Sequence, residues 1–270
     1  GCGGRRDPGP SLVIALKTEA ELRVVAENAQ LLAGILVEVA LHVEPDVETA
    51  ELDRFAEERI RAAGARPAFK GYHGYPASLC VSVNEEIVHG IPSSRRIKAG
   101  DIVSLDLGLA RGGYVADAAL TVGAGEITPE AERLLSVTRG ALQDAIRAAK
   151  LGARVSDLSH AIGRHVSRHG LYVVREFVGH GIGRELHEDP QIPNFGEPGQ
   201  GAVLRGGMVL CPEPMVKGDD LPVHIKDDGW TAVTASGSLA AHYEEMIAVT
   251  PDGPAVLTGG IWEAFCRRRT

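Results

Sequence analysis

The chain has 270 residues, 44% hydrophobic and 24% charged, a composition that excludes a largely disordered polypeptide and suffices to bury a sizeable core. Its formal net charge of -8 argues against a nucleic-acid-binding surface that covers the molecule, and no uncharged apolar run approaches the ~20 residues of a membrane span. Cys2, Cys80, Cys211 and Cys266 form no C-x-x-C pair and read as reduced thiols of a cytoplasmic protein.

Residues 1–11 lack the apolar stretch of a signal sequence and are expected to form a flexible tail, with 12–270 as one domain. Thr18 and Glu21 make a capping box ahead of Leu22, Val25, Leu32, Ile35, Leu36 and Val39, whose spacing predicts a long first helix. A second helix runs from about Thr49 to a stop at Gly64, and Phe69 to Pro76 reads as loop. Leu79, Val81 and Val83 alternate with Cys80 and Ser82, which predicts a strand with one buried face. Thr128-Pro129 opens a third helix that Gly152 closes, and a shorter helix runs from Ser156 to near Gly170. Strands are expected at Leu171 to Val178, Val209 to Glu213 and Tyr243 to Val249. The class is mixed α/β. Gly100 to Asp106 and Gly207 to Glu213 each place a carboxylate six residues after a glycine, an echo that fits two related halves or simple recurrence.

Residues 101–122 read as two strands joined by a Gly112-Gly113 turn. That register sets Arg111 against Tyr114 and Asp117 against Gly108, so Asp106 and Asp117 become diagonal neighbours on one face. Two converging carboxylates repel unless a proton or cation lies between them. Taken alone, the hairpin favours a solvated polar face, and the other residues must decide. His180 sits among Gly179, Gly181 and Gly183, which would let the backbone turn sharply. His187 follows seven residues later. Glu213, between Pro212 and Pro214, suits a strand end pointing into a cavity. Of Glu244 and Glu245, one should face a site and the other solvent. His165 and His169 share a helix face, but no nearby acid in the sequence completes a site and they read as solvated.

Tyr72-His-Gly-Tyr75-Pro, Val83-Asn84-Glu85, His89-Gly-Ile-Pro92, Gly100-Asp-Ile-Val, Gly179-His-Gly-Ile-Gly183, His187-Glu-Asp-Pro190, Glu213-Pro-Met215, Gly229-Trp230-Thr231 and Tyr243-Glu244 together resemble the ordered motifs of type I methionine aminopeptidases over residues 12–258. The resemblance implies the pita-bread fold, an α/β architecture of two pseudo-symmetric halves around a central antiparallel sheet. It implies a pair of divalent ions held by Asp106, Asp117, His180, Glu213 and Glu244, with Asp117 and Glu244 bridging, Asp106 serving one ion, and His180 with Glu213 the other. Such donors suit Mn, Fe, Co or Zn without choosing among them. The implied reaction is hydrolysis of the first peptide bond by a hydroxide bridging the ions. Glu213 would be the proton shuttle, His187 the donor to the carbonyl oxygen and His89 a substrate-positioning residue. The methionine side chain would lie against Tyr72, Tyr75, Cys80, Leu186 and Trp230.

The implied substrates are the N-termini of nascent proteins with a small second residue, cleaved in the cytoplasm by a monomer with no membrane or direct nucleic-acid role. A transient ribosome contact through Arg95, Arg96 and Lys98 ranks below a merely solvated basic loop. Leu186 stands where many relatives carry Phe, Phe69 where some carry Cys, and Gly108 where Thr is frequent. An Xaa-Pro peptidase of the same fold is the competing enzyme reading, and a non-catalytic binding protein on this scaffold the competing class.

Overall fold

The capping box expected at the first helix is formed: Glu21 N donates to Thr18 Oγ1 at 3.3 Å and Thr18 N to Glu21 Oε2 at 2.8 Å. It starts α1 (Glu19–Leu41). The structure is a computed structural model that describes residues 14–269, so the tail expected at 1–11 lies outside the described residues. α1 is long and apolar enough to pass for a membrane span, yet over half of its apolar stretch is buried. Val25, Ala29, Leu32 and Leu36 pack it onto the central hairpin, the outcome expected of an amphipathic core helix.

That hairpin consists of Ile102–Arg111 and Tyr114–Gly123, with Arg111 opposite Tyr114 and Gly108 opposite Asp117. Gly112 and Gly113 have φ of 61° and 82°, the left-handed pair that a two-residue turn needs and glycine supplies at little cost. Leu79–Val83 and Arg66–Pro67 pair with the other edge of Ile102–Arg111. Leu79–Val83 differs from expectation, because all five residues are buried. Cys80 lines the cavity described below and Ser82 is buried, so neither faces solvent.

The second half repeats the first. α2 (Thr49–Ala62) follows α1 as α4 (Val155–Arg168) follows α3 (Pro129–Ala148). Gly64 and Gly170 sit beyond the ends of α2 and α4 with φ of 70° and 62°, and Gly100 and Gly207 both have φ of 90°. The glycine-to-carboxylate echo is therefore also an echo of backbone conformation. The second sheet orders Gly253–Val256, Ile247–Thr250, Val209–Cys211, Val178–Gly181 and Glu188–Pro193. The mixed, antiparallel architecture is the pita-bread fold.

Other expectations need correction. Leu171 to Val178 is not one strand: Tyr172–Val173 pairs with Met215–Lys217, while Val178–Gly181 belongs to the second sheet. α3 ends at Ala148, four residues short of Gly152. The basic stretch is largely committed internally, with Arg95 paired to Glu86 at 2.8 Å and Arg96 to Glu48 at 2.7 Å. His165 does meet an acid, Asp144 of α3 at 2.7 Å, which the local sequence could not show.

Gly108 is a tight point in the first sheet. A β-carbon there would lie 2.6 Å from Phe69 Cε1 and 3.1 Å from Ala68 Cβ. Gly108→Thr is expected to cost about 1–3 kcal/mol by overpacking, and less in a Phe69→Leu background. Urea denaturation of the four proteins checks this, and equal losses in both backgrounds would clear Phe69 as the obstacle.

Candidate active site

The acidic residues reach one cavity from both sheets. Asp106 and Asp117 project from the hairpin, Asp106 opposite Ala119 and Asp117 opposite Gly108. Glu244 pairs with Ala119 through an isolated bridge, donating its N–H to Ala119 O at 2.9 Å and accepting from Ala119 N at 3.3 Å. Glu213 follows the strand Val209–Cys211 and lies outside it, as its flanking prolines require. His180 lies opposite Cys211.

The glycines around His180 act differently from expectation. Gly179 and Gly181 are absent from the left-handed residues, so they make no sharp turn. A β-carbon on Gly179 would collide with Cys211 O, and one on Gly181 with Asp189 O. They allow the neighbouring strands to approach, which brings His180 up to the carboxylates.

His180 Nε2 lies 3.7 Å from Asp117 Oδ2, 3.6 Å from Glu213 Oε1 and 3.8 Å from Glu244 Oε1. These separations are too long for hydrogen bonds. Nδ1 is 3.0 Å from Gly181 O and donates to it, which leaves the Nε2 lone pair directed among acids. Asp106 Oδ1, Asp117 Oδ1 and Glu244 Oε1 are buried without a hydrogen-bond partner. Burial, reinforced by Glu244 and Asp106, holds the Asp117 carboxyl well above the carboxylate range. Burial followed by Asp106 does the same for Glu213, and burial followed by Glu213 for Glu244. Burial raises Asp106 to about 6 and lowers His180 to about 3. Unpaired acids around a neutral imidazole fit a divalent cation, which would satisfy the orphaned oxygens and the lone pair together. Asp106, Asp117 and Glu244 offer one set of oxygens within 4.8 Å of one another.

The cavity has a volume of about 580 Å³. Tyr72, Tyr75, Cys80, His89, Leu186, His187 and Trp230 line it together with the four acids and the His180 imidazole just described. The aromatic rings of Tyr75 and Trp230 meet edge to face at 5.2 Å. His187 Nδ1 is 2.9 Å from Tyr72 Oη; with the phenol as donor, Nε2 carries the imidazole proton. Burial lowers the pKa of His187, and that of His89 to about 4, so both rings are neutral at pH 7. His89 has φ of 60°, a strained conformation for a residue with a side chain, and strain of this kind concentrates at functional sites.

Two side chains escaped the sequence reading. His242 is 1% exposed and its Nε2 lies 3.2 Å from Glu213 Oε2 without hydrogen-bond geometry. Its signal was the His-x-Glu spacing to Glu244, which puts two side chains on one strand face. Cys211, opposite His180, forms a donor group with His180 and Glu244. Glu245 is a correction, since it is buried and not solvated: it accepts from Thr258 Oγ1 and, at 3.0 Å, from Ile261 N at the start of α5 (Ile261–Arg269).

Comparison with known proteins places this geometry in context. Residues 24–251 match the model of metallopeptidase family M24. A methionine aminopeptidase of Clostridium perfringens is 48% identical over 91% of this chain and 99% of its own length. Methionine aminopeptidase 1 of Bacillus subtilis is 46% identical over the same shares. The crystal structure of methionine aminopeptidase from Thermotoga maritima superposes with a TM-score of 0.89 at 45% identity, covering 91% of this chain and 99% of that one.

Protons and cations compete for the same oxygens here. Carboxyls with raised pKa hold protons in the metal-free protein and must release them when a cation lowers their pKa. Calorimetric titration of metal-free protein with Mn²⁺ at pH 7, in buffers of different ionisation enthalpy, should show net proton release, and affinity should fall as pH drops through about 6, where Asp106 protonates. Binding without proton release would mean that the acids are already ionised and compensated some other way.

Proposed function

The chain belongs to metallopeptidase family M24 and is a metal-dependent methionyl aminopeptidase, and from that premise we propose that it removes the initiator methionine from nascent proteins using two divalent ions. Asp106, Asp117, His180, Glu213 and Glu244 would hold them. The observation that carries this reading is the His180 lone pair at 3.6 to 3.8 Å from three carboxylates, among buried oxygens with no partner.

Bound divalent ions supply acidified water and a polarised carbonyl. The remaining work falls to side chains. Glu213, which reaches the cavity beside His180, can take the proton of the attacking water and pass it to the leaving amine. His187, fixed through Nδ1 by Tyr72, can donate from Nε2 to the carbonyl oxygen as negative charge develops. Neutral His89 faces the same cavity and suits orientation of the peptide. Tyr75, Cys80, Leu186 and Trp230 form a wall suited to an unbranched thioether, which fills irregular apolar space well.

The division of labour between the histidines is testable. His180→Ala should weaken binding of one metal equivalent in calorimetry. His187→Ala should leave metal binding unchanged and slow turnover of Met-Ala-Ser at saturating metal by about 10²–10³, the usual effect of deleting one oxyanion donor. Loss of metal from the His187 variant, or normal affinity in the His180 variant, would reverse the assignment.

Selectivity should favour a small second residue, because the side chains around the scissile bond leave little volume beyond it. Met-Ala-Ser is expected to be cleaved far faster than Met-Leu-Ser, and Ala-Pro-Ala to be left intact. Comparable rates for the two methionyl peptides would sink the size argument, and preference for Ala-Pro-Ala would shift the enzyme to the Xaa-Pro reading.

A further inference from the structure

One buried charge has no part in the chemistry above. Lys17 precedes α1, and its side chain is only 6% exposed. Its Nζ lies 2.6 Å from Glu188 Oε2, joining positions 171 residues apart. Its backbone is fixed as well, with Lys17 N donating to Gly207 O at 2.8 Å.

Glu188 directly follows His187. Its other oxygen, Oε1, accepts from Arg184 N at 2.7 Å and Glu185 N at 3.3 Å, so one carboxylate gathers the loop between Gly183 and His187. Gly183 is packed against this pair: a β-carbon there would overlap Lys17 Cε and come within 2.7 Å of both Lys17 Nζ and Glu188 Oε1. A second tie runs in parallel, since Arg184 Nη2 donates to Glu21 Oε1 at 3.1 Å and lies 2.9 Å from Tyr114 Oη. Both ties end at the first turn of α1 or just before it. On the cavity side, the hydrogen bond from Tyr72 holds His187.

We infer that Lys17 is a positioning residue for His187, acting through Glu188 to hold the 183–187 loop so that the imidazole stays at the reaction cavity. This rests on the role proposed for His187. Removing one partner of a buried ion pair leaves the other charge uncompensated. Without Lys17, Glu188 is drawn toward water and releases Arg184 N and Glu185 N. His187 is then held from one side only. A displacement of about 1 Å at such a donor costs up to about 10²-fold in rate.

Lys17→Met keeps the apolar stem and removes the charge. At saturating metal it should lower kcat for Met-Ala-Ser by about 10- to 100-fold, with metal affinity unchanged by calorimetry. The decisive comparison is the His187→Ala background, where Lys17→Met should cause no further loss because the residue through which it acts is gone. A purely structural role predicts equal losses in both backgrounds, and that result overturns the inference, as does unchanged kcat in the single variant. Glu188→Gln, which retains an oxygen for the loop amides, gives the same cycle from the other partner if Lys17→Met does not fold. Hydrogen exchange supplies a readout independent of activity: Lys17→Met should speed exchange at the Arg184 and Glu185 amides while strand Leu79–Val83 keeps its protection. If the unsubstituted enzyme leaves Met-Ala-Ser intact, the proposed function falls, while exchange still decides the anchor. Unchanged exchange at those two amides refutes it.

Discussion

Four carboxylates converging on one cavity govern the rest of this molecule. Two unit charges 4 Å apart repel by about 4 kcal/mol at an effective dielectric constant of 20, so Asp106, Asp117, Glu213 and Glu244 cannot all remain ionised there without compensation. His180 supplies none: burial keeps it neutral, and its Nδ1–H is engaged by Gly181 O. The fold must therefore hold mutually repelling groups together until protons or cations neutralise them. Glycine at 179 and 181, where any side chain would strike a neighbouring strand, and proline on both sides of Glu213 are local features that meet this requirement.

The scaffold repeats but its chemistry does not. α1 with α2 and α3 with α4 occupy matching places, and Gly100 and Gly207 share a φ of 90°. From these equivalent frames the first half contributes two aspartates on a long regular hairpin, whereas the second contributes an imidazole and two glutamates near strand ends. The regular hairpin fixes direction, since side chains two apart share a face. Of the second-half groups only Glu213 lies beyond its strand, while His180 and Glu244 keep backbone partners in Cys211 and Ala119. Outside the cavity, Glu245 secures the same segment by accepting from Ile261 N.

Much of this was legible where the determinants are local. The register of the hairpin followed from Gly112-Gly113 and alternation, and the first helix from Thr18 and Glu21, because both depend on residues a few positions apart. The roles of Gly179 and Gly181 were misread because the atoms that require them, Cys211 O and Asp189 O, come from other strands. Glu245 looked solvated because Thr258 and Ile261, which satisfy it, lie over a dozen residues away. Arg95 and Arg96 looked like a free basic patch because Glu86 and Glu48 meet them only in the folded chain. The motifs brought the acids and His180 to attention, while His242 carried only a faint spacing signal. Local pattern sets direction and periodicity, but neighbours across the fold decide burial and pairing.

The bridge between Ala119 and Glu244, two hydrogen bonds of 2.9 and 3.3 Å, joins the hairpin sheet to the segment leading into Ile247–Thr250 of the second sheet. Donor atoms ride on both sides of that seam, Asp106 and Asp117 on the hairpin and Glu244 on the segment joined to it. The spacing of those donors therefore depends on this seam as well as on the hairpin register. A substitution that parts the seam would spread the donors with it. Packing around Ala119, which carries no side-chain donor of its own, thus bears on how closely the oxygens of Asp106, Asp117 and Glu244 approach one another.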